Sequence, residues 1–156
     1  MNIILDTHIF LWLISEDPRL SEDKSQAIVN SNNQVFLSVV SIWECVIKYQ
    51  IGKLSFPESP EIYLPQKRSD HLIKILDIKE NTIKQLIKLP MIHKDPFDRL
   101  IICQSLEHNL TIMTEDEAIL NYPNLSFYSS KYTLKLVAWG SMNGLTMSKY
   151  GEVLIN

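Results

Sequence analysis

Residues 2–14 read Asn-Ile-Ile-Leu-Asp-Thr-His-Ile-Phe-Leu-Trp-Leu-Ile, and they carry two apolar patterns in succession. The run from Asn2 to Leu5 is short, apolar and suited to a β-strand, whereas Ile9 to Ile14 has the crowded apolar pattern of a buried helix. The chain is therefore predicted to open with a strand followed by a helix. Asp6 stands at the junction between the two.

The same order of strand and helix recurs along the chain. Asp95 in the N-cap position and Pro96 at the first helical position start the clearest helix. Further strands are predicted at 35–37, 111–114 and 125–128, and further helices at 21–30, 41–50, 81–89 and 116–120, while 56–65, with three prolines, is predicted as a loop. Repeated β-then-α units predict an α/β fold in which helices cover both faces of a mainly parallel sheet.

Composition and length favour one folded domain. The chain has 156 residues, of which 46% are hydrophobic and 21% charged, values near the globular average that exclude disorder and fibrous repeats. The apolar run that ends at Ile14 is far shorter than the roughly 20 residues of a membrane span, so we expect no transmembrane helix, no signal peptide and no membrane partner. Cys45 and Cys103 lie in apolar stretches, which indicates two buried free thiols and a cytoplasmic location.

Charge is unevenly distributed along the sequence. The formal net charge is −3, yet residues 48–99 hold ten Lys or Arg against seven Asp or Glu, and the remainder holds five against eleven. Because a local positive field attracts a polyanion more than the total charge does, an RNA or DNA substrate is compatible with this pattern. A solvated helix face with many lysines explains the basic middle segment equally well.

Two acids follow predicted strands directly. Asp6 comes after the first strand, and Asp116 comes two residues after the strand at 111–114. In an open parallel sheet, ligands bind beyond the carboxyl ends of the strands, so these positions are candidates for chemistry. Each acid alone is equally well explained as a helix cap or turn former.

Two further acids lie at the starts of predicted helices. Glu44 follows Ser41 by three residues, the spacing of a capping box, but it also lies in a helix that is apolar nearly all round. Asp98 suits the first turn of its helix, although Asp95 already provides the cap. Crowded carboxylates repel unless a cation neutralises them, and all-oxygen ligands suit Mg²⁺ or Mn²⁺. His8 and His93 lie near these motifs, where outer-shell or helix-terminus roles are expected.

Four segments in order carry a resemblance to a known family. They are Leu5-Asp6-Thr7-His8, Ser41-Ile42-Trp43-Glu44, His93-Lys94-Asp95-Pro96-Phe97-Asp98-Arg99 and Thr114-Glu115-Asp116. Together they resemble the PIN-domain ribonucleases, and in particular the VapC-type toxins of bacterial toxin–antitoxin pairs. The similarity extends from Met1 to about Tyr128, so residues 1–130 are expected to form the PIN-like nuclease domain and residues 131–156 a C-terminal extension.

The resemblance implies a fold, a reaction and a set of site residues. The fold would be a three-layer PIN-like α/β fold, and the activity a metal-dependent endoribonuclease that hydrolyses RNA phosphodiesters with water activated by Mg²⁺ or Mn²⁺. The implied catalytic and metal-binding residues are Asp6, Glu44, Asp98 and Asp116, supported by the hydroxyls of Thr7 and Thr114. Arg99 and the lysines of 48–94 are expected to hold the RNA backbone through phosphate contacts.

The resemblance also implies partners and leaves two points open. A small antitoxin protein and a homodimer are expected, besides the RNA substrate. Glu115 adds a negative charge beside Asp116, so either acid is a candidate to face the metal, and the tail beyond Ser130 is longer than is usual in the family. A catalytically silent PIN-like domain that binds RNA or a protein is the alternative function.

Overall fold

The computed structural model describes residues 1–129, which contain a five-stranded sheet and seven helices. The strands are β1 Asn2–Leu5, β2 Gln34–Ser38, β3 Lys74–Leu76, β4 Thr111–Met113 and β5 Ser126–Phe127. The helices are α1 Thr7–Ile14, α2 Glu22–Val29, α3 Val39–Gln50, α4 Pro60–Asp70, α5 Glu80–Gln85, α6 Pro96–His108 and α7 Glu117–Leu120.

All strand pairs in this sheet are parallel. The strand order is β3-β2-β1-β4-β5, and β1 at the centre pairs Leu5 with Leu37 of β2 on one side and with Met113 of β4 on the other. This register places Ser38, the last residue of β2, and Asp6 and Thr114, which follow β1 and β4, at one edge of the sheet. The loops and helix starts at that edge are therefore brought together by backbone pairing alone.

Two hydrophobic clusters cover the two faces of the sheet. Alternation along β1 sends Ile3 and Leu5 into one cluster, with α1, α3 and α4, and sends Ile4 into the other, with α6 and α7. The prediction of a parallel sheet between two helical layers is confirmed. Cys45 and Cys103 are buried free thiols, as predicted, and burial raises their pKa to about 12 and about 11. None of the helices in residues 1–129 combines the length and apolar character needed to cross a membrane.

Three local predictions require correction. The segment predicted as a loop at 56–65 turns into α4 at Pro60, because Pro is favoured at the first helical position and Leu64 is fully buried; Pro65 is accepted inside the helix. Helix α3 begins at Val39 rather than Ser41, since Ser38 provides the N-cap. Helix α5 ends at Gln85, short of the predicted Leu89. The C-terminal extension predicted at 131–156 lies outside the described residues.

Candidate active site

The carboxylate of Asp6 lies at the carboxyl end of β1 and is almost fully buried. Its Oδ2 accepts a hydrogen bond of 2.6 Å from the Thr114 hydroxyl, and its Oδ1 accepts the His8 backbone N–H at 3.2 Å, which caps α1. Burial by itself raises the pKa of Asp6, but these hydrogen bonds and the nearby His8 side chain outweigh it and lower the pKa below its usual value. Asp6 is thus held as an anion.

The Thr114 hydroxyl connects two of the predicted acids. It donates to Asp6, and it accepts the backbone N–H of Asp116 at 2.9 Å. Oδ1 of Asp116 accepts the backbone N–H of Ala118 and so caps α7, whereas Oδ2 takes no part in this cap. Thr114 therefore occupies the supporting position that the resemblance implied for it.

The predicted supporting residue Thr7 acts at a different place. Its hydroxyl donates to the Ser41 hydroxyl across 3.0 Å in a fully buried contact between α1 and α3. This bond joins the start of α1, where Asp6 is the cap, to the first turn of α3, one turn before Glu44. Thr7 positions the helices that carry the acids and makes no hydrogen bond to a carboxylate within the described chain.

Glu44 projects from α3 and is 3% exposed. Its Oε1 pairs with the Lys48 ammonium at 2.5 Å, while its Oε2 is buried and has no hydrogen-bond partner within residues 1–129. Since Ser38 caps α3, the capping-box explanation of Glu44 is wrong. Burial by itself lowers the pKa of Lys48, but the hydrogen bond to Glu44 and the charges of Glu44 and Asp95 raise it above its usual value.

His93 lies between Asp98 and Asp116. Its Nε2 is 3.2 Å from Oδ2 of Asp98 and 3.2 Å from Oδ2 of Asp116, and these three side chains form a compact group of possible metal ligands. Its Nδ1 accepts the backbone N–H of Asp95 at 3.0 Å. A neutral imidazole that accepts at Nδ1 carries its proton on Nε2, so His93 is arranged to donate to the carboxylates rather than to ligate a metal.

The acids influence one another electrostatically. Burial raises the pKa of Asp98 to about 7, and the negative charges of Asp6, Asp95 and Glu44 add to that effect, while His93 opposes it. The structure thus brings the four predicted acids to one edge of the sheet. His93 lies between Asp98 and Asp116. The Thr114 hydroxyl links Asp6 to the backbone of Asp116, and the charge of Asp6 acts on Asp98. We call Asp6, Glu44, Asp98 and Asp116 the acidic pocket.

Glu115 faces away from the acidic pocket. Its carboxylate forms an ion pair with Lys24 of α2 and is half exposed. Asp116, by contrast, directs Oδ2 toward His93. Of the two neighbouring acids that the sequence left open, the geometry favours Asp116 as the one that joins the acidic pocket.

Arg99 does not occupy the position predicted for it. Its guanidinium points away from Asp98, as expected of adjacent helical residues, but it is buried rather than solvent-facing. Its hydrogen bonds go to the backbone carbonyls of Leu86, Leu89, Pro90 and His93 and to the Tyr122 hydroxyl, at 2.8–3.4 Å. The Nη1 and Nη2 donors are thus engaged inside the protein, which does not favour the predicted contact with an RNA phosphate; that contact stays a prediction. We call Arg99 and these five acceptors the arginine anchor.

Sequence reasoning underrated two side chains. Lys48 lies four residues after Glu44, the helical spacing that brings an acid and a base together, and that spacing is a signal that the sequence contains. His93 precedes the Asp95 cap by two residues, but its place between two carboxylates depends on the segment 86–93 that the arginine anchor fixes. Only the folded chain reveals that place.

A protein-family comparison covers most of the described residues. A family model described as PIN domain matches residues 3–125, a range that begins within β1, extends past β4 and contains the whole acidic pocket. The chain therefore belongs to the PIN domain family.

One named relative and two solved structures are similar to this chain over most of its length. The chain is similar to Ribonuclease VapC22 of Mycobacterium tuberculosis, with 27% identity over 128 residues that cover 78% of this chain and 92% of the relative. Among solved structures, VapBC2 from Rickettsia felis bound to a DNA fragment from its promoter has a TM-score of 0.65 at 20% identity, covering 84% of this chain and 100% of the other. DNA-bound VapBC from Salmonella typhimurium has a TM-score of 0.59 at 16% identity, with coverage of 82% and 97%. The predicted PIN-like fold is confirmed.

Proposed function

We propose that this protein is a divalent-metal-dependent endoribonuclease and the toxin of a toxin–antitoxin pair. The observation that carries the proposal is a group of acids at one edge of the sheet. Asp98 and Asp116 lie around His93, Asp6 and Glu44 are near enough for their charges to act on Asp98, and Glu44 Oε2 is buried with no hydrogen-bond partner in residues 1–129. A buried carboxylate oxygen without a partner is costly. A cation bound at this place would remove that cost.

The donor set fits Mg²⁺ or Mn²⁺. Asp6, Glu44, Asp98 and Asp116 would supply only carboxylate oxygens, which these hard cations prefer, while His93 would keep its Nε2 proton and hydrogen-bond to the ligands. Burial is the main cause of the raised pKa of Asp98, and the neighbouring acids, whose charge a divalent cation would neutralise, add to it. Thr7 and Thr114 would position the pocket without joining it.

The proposed reaction is hydrolysis of an RNA phosphodiester. When bound, the divalent cation would lower the pKa of water and stabilise the charge that develops on the phosphate. The carboxylate of Asp98 or Glu44 would orient or accept the proton of the attacking water, and the products would carry 5′-phosphate and 3′-hydroxyl ends. With Arg99 committed to the arginine anchor, exposed lysines such as Lys94, next to His93, are the candidates for contacts with the RNA backbone.

The similarity to named relatives supports the partners. VapC22 is a ribonuclease by name, and the two solved structures are VapBC assemblies. We infer that a small antitoxin, encoded beside this gene, inhibits the protein by placing an Arg or Lys against the acidic pocket. A homodimer that aligns two pockets along one groove, and a cytoplasmic location that suits two free thiols, complete the proposal.

Cleavage of total cellular RNA by the purified protein tests the activity. We expect cleavage with Mg²⁺ or Mn²⁺, none with excess chelator, and sequencing of the released 5′ ends to identify the target. Mn²⁺ should also raise the melting temperature, because a ligand that binds only the folded state at about 100 times its Kd stabilises that state by about 2.7 kcal/mol. Undiminished cleavage in chelator would overturn the metal-dependent mechanism, and a melting shift without cleavage would favour a silent binding domain.

A further inference from the structure

The ion pair between Glu44 and Lys48 joins the interior of the acidic pocket to its rim. Glu44 is 3% exposed, whereas the Lys48 side chain is 30% exposed, and the two lie one turn apart on α3. The Lys48 side chain is thus partly open to solvent, while its ammonium contacts Oε1 of Glu44. The flexible stem of such a lysine allows its ammonium either to contact Glu44 or to extend into water.

The pairing leaves Glu44 incompletely satisfied. Lys48 contacts only Oε1, and Oε2 remains buried with no partner in the described chain. An ammonium is a point charge on a flexible stem and does not engage both oxygens as a planar guanidinium does. The ion pair therefore compensates the charge of Glu44, but it leaves Oε2 without a hydrogen bond from the described residues.

We propose that Lys48 is an internal counter-cation that holds Glu44 in the metal-free protein and moves to the rim of the pocket when a divalent cation takes Glu44. This inference rests on the proposed function, because it requires that the acidic pocket bind a cation. A divalent ion on Glu44 and an ammonium on the same carboxylate would repel each other strongly at this separation. Lys48 has an exit to solvent, whereas Glu44 does not, so Lys48 is the group that leaves.

The proposal assigns Lys48 a positioning role in two states. In the metal-free state, its charge reduces the repulsion among the acids, which keeps the pocket assembled. In the loaded state, its ammonium stands at the rim of the pocket, where an anionic phosphodiester would approach. The cost of displacing Lys48 is included in the apparent affinity for the cation, so Lys48 sets how much metal the protein needs.

Amine reactivity measures the movement directly. Wild-type protein is acylated or reductively methylated at fixed pH with and without Mg²⁺, and the rate at each lysine is followed by peptide mass spectrometry. We expect the rate at Lys48 to rise several-fold with Mg²⁺. Lys74, which donates to Gln34 at the start of β2, is the internal control and should not change. In Asp6→Asn protein, which should not hold the cation, the rate at Lys48 should also stay constant.

The matched variants are Lys48→Met, which keeps the stem and removes the charge, and Lys53→Met, an exposed position just beyond α3. Mn²⁺ affinity is measured by electron paramagnetic resonance on protein whose folding is checked by circular dichroism. We expect Lys48→Met to bind Mn²⁺ about 3- to 30-fold more tightly, a gain of about 0.6–2 kcal/mol, and Lys53→Met to match the wild type.

The outcomes separate this inference from the proposed function. If wild-type protein binds no Mn²⁺, both fail. If it binds Mn²⁺ while Lys48 remains as slow to react as before, the cation site stands and the displacement of Lys48 is overturned. Unchanged or weaker Mn²⁺ affinity in folded Lys48→Met overturns it as well.

Discussion

Asp98 and Arg99 are consecutive ionisable residues of one helix, the first partly buried and the second buried, and their surroundings differ completely. Arg99 in the arginine anchor meets four carbonyls and a hydroxyl that use its donors. Asp98 in the acidic pocket meets other acids, and its pKa rises to about 7, chiefly through burial and then through Asp6 and Asp95.

The difference separates structural charge from functional charge. A buried charge whose hydrogen bonds are complete fixes a conformation, and its removal leaves several polar groups unsatisfied. A buried charge among like charges destabilises the fold until a ligand of opposite sign arrives. Four predictions test this contrast, beginning with the largest expected effect.

Replacement of the pocket acids is expected to affect activity most. Asp98→Asn and Asp6→Asn should each reduce RNA cleavage by about 100-fold or more, because each removes a charge that would hold the cation. Metal-free Asp98→Asn should remain folded and be as stable as the wild type or slightly more so, since repulsion within the pocket falls. Metal-free Asp6→Asn should remain folded but be less stable, because the hydrogen bonds to Asp6 favour its anion. Cleavage assays beside urea unfolding check both statements. Wild-type cleavage by either variant would remove the acidic pocket from the mechanism.

Replacement of Arg99 should affect stability most. Arg99→Met should lower the free energy of unfolding by about 2–4 kcal/mol, because buried carbonyl and hydroxyl groups lose their donors. Arg99→Lys should recover only part of the loss, since an ammonium cannot reach acceptors spread along 86–93. Urea unfolding measures both. If Arg99→Met unfolded like the wild type but bound RNA with a reduced salt dependence, Arg99 would contact an RNA phosphate, and the contrast with Asp98 would fail.

The raised pKa of Asp98 predicts a pH dependence in chelator. Between the ordinary carboxyl pKa of about 4 and the folded value of about 7, the folded protein keeps a proton that the unfolded chain releases. The contribution of Asp98 to stability therefore falls as the pH rises through this range. Asp98→Asn should remove that part of the slope, as unfolding curves at pH 5, 6, 7 and 8 will reveal. The lowered pKa of Asp6 makes the stability rise with pH, but only in a more acidic range.

The smallest effect is expected at the ion pair of Glu115 and Lys24. Glu115→Gln should change the free energy of unfolding by about 1 kcal/mol or less, because the carboxylate is half exposed. Cleavage and Mn²⁺ affinity should match the wild type, which makes this variant a control for Asp98→Asn. A large loss of Mn²⁺ affinity would place Glu115, and not only Asp116, at the cation.

Local sequence patterns predicted much of the fold. The strand at 2–5 and the Asp95 cap with Pro96 are confirmed, because apolar runs and cap chemistry act within a few residues. The start of α4 at Pro60, within the segment predicted as a loop, escaped prediction because the burial of Leu64 is a tertiary effect that outweighs Pro65 inside the helix.

The candidate site was predicted less evenly. Strand ends indicated that Asp6 and Asp116 approach each other, since parallel strands align their carboxyl ends. The partners of Arg99 could not be predicted in the same way, because they are backbone carbonyls of an irregular segment that carries no pattern of its own. The contacts of a side chain can be predicted from sequence when its partners follow a local pattern, and cannot when its partners are backbone groups of an irregular segment.

The bond between Thr114 and Asp6 spans 108 positions of the chain. During synthesis, Asp6 and Glu44 emerge early, but β1 has no β4 to pair with until residues 111–113 have been made. A chain that stops before that point lacks Asp116 and the strand that brings Thr114 to Asp6. The order of strands in the sheet thus delays any activity of the pocket until translation of the domain is nearly finished.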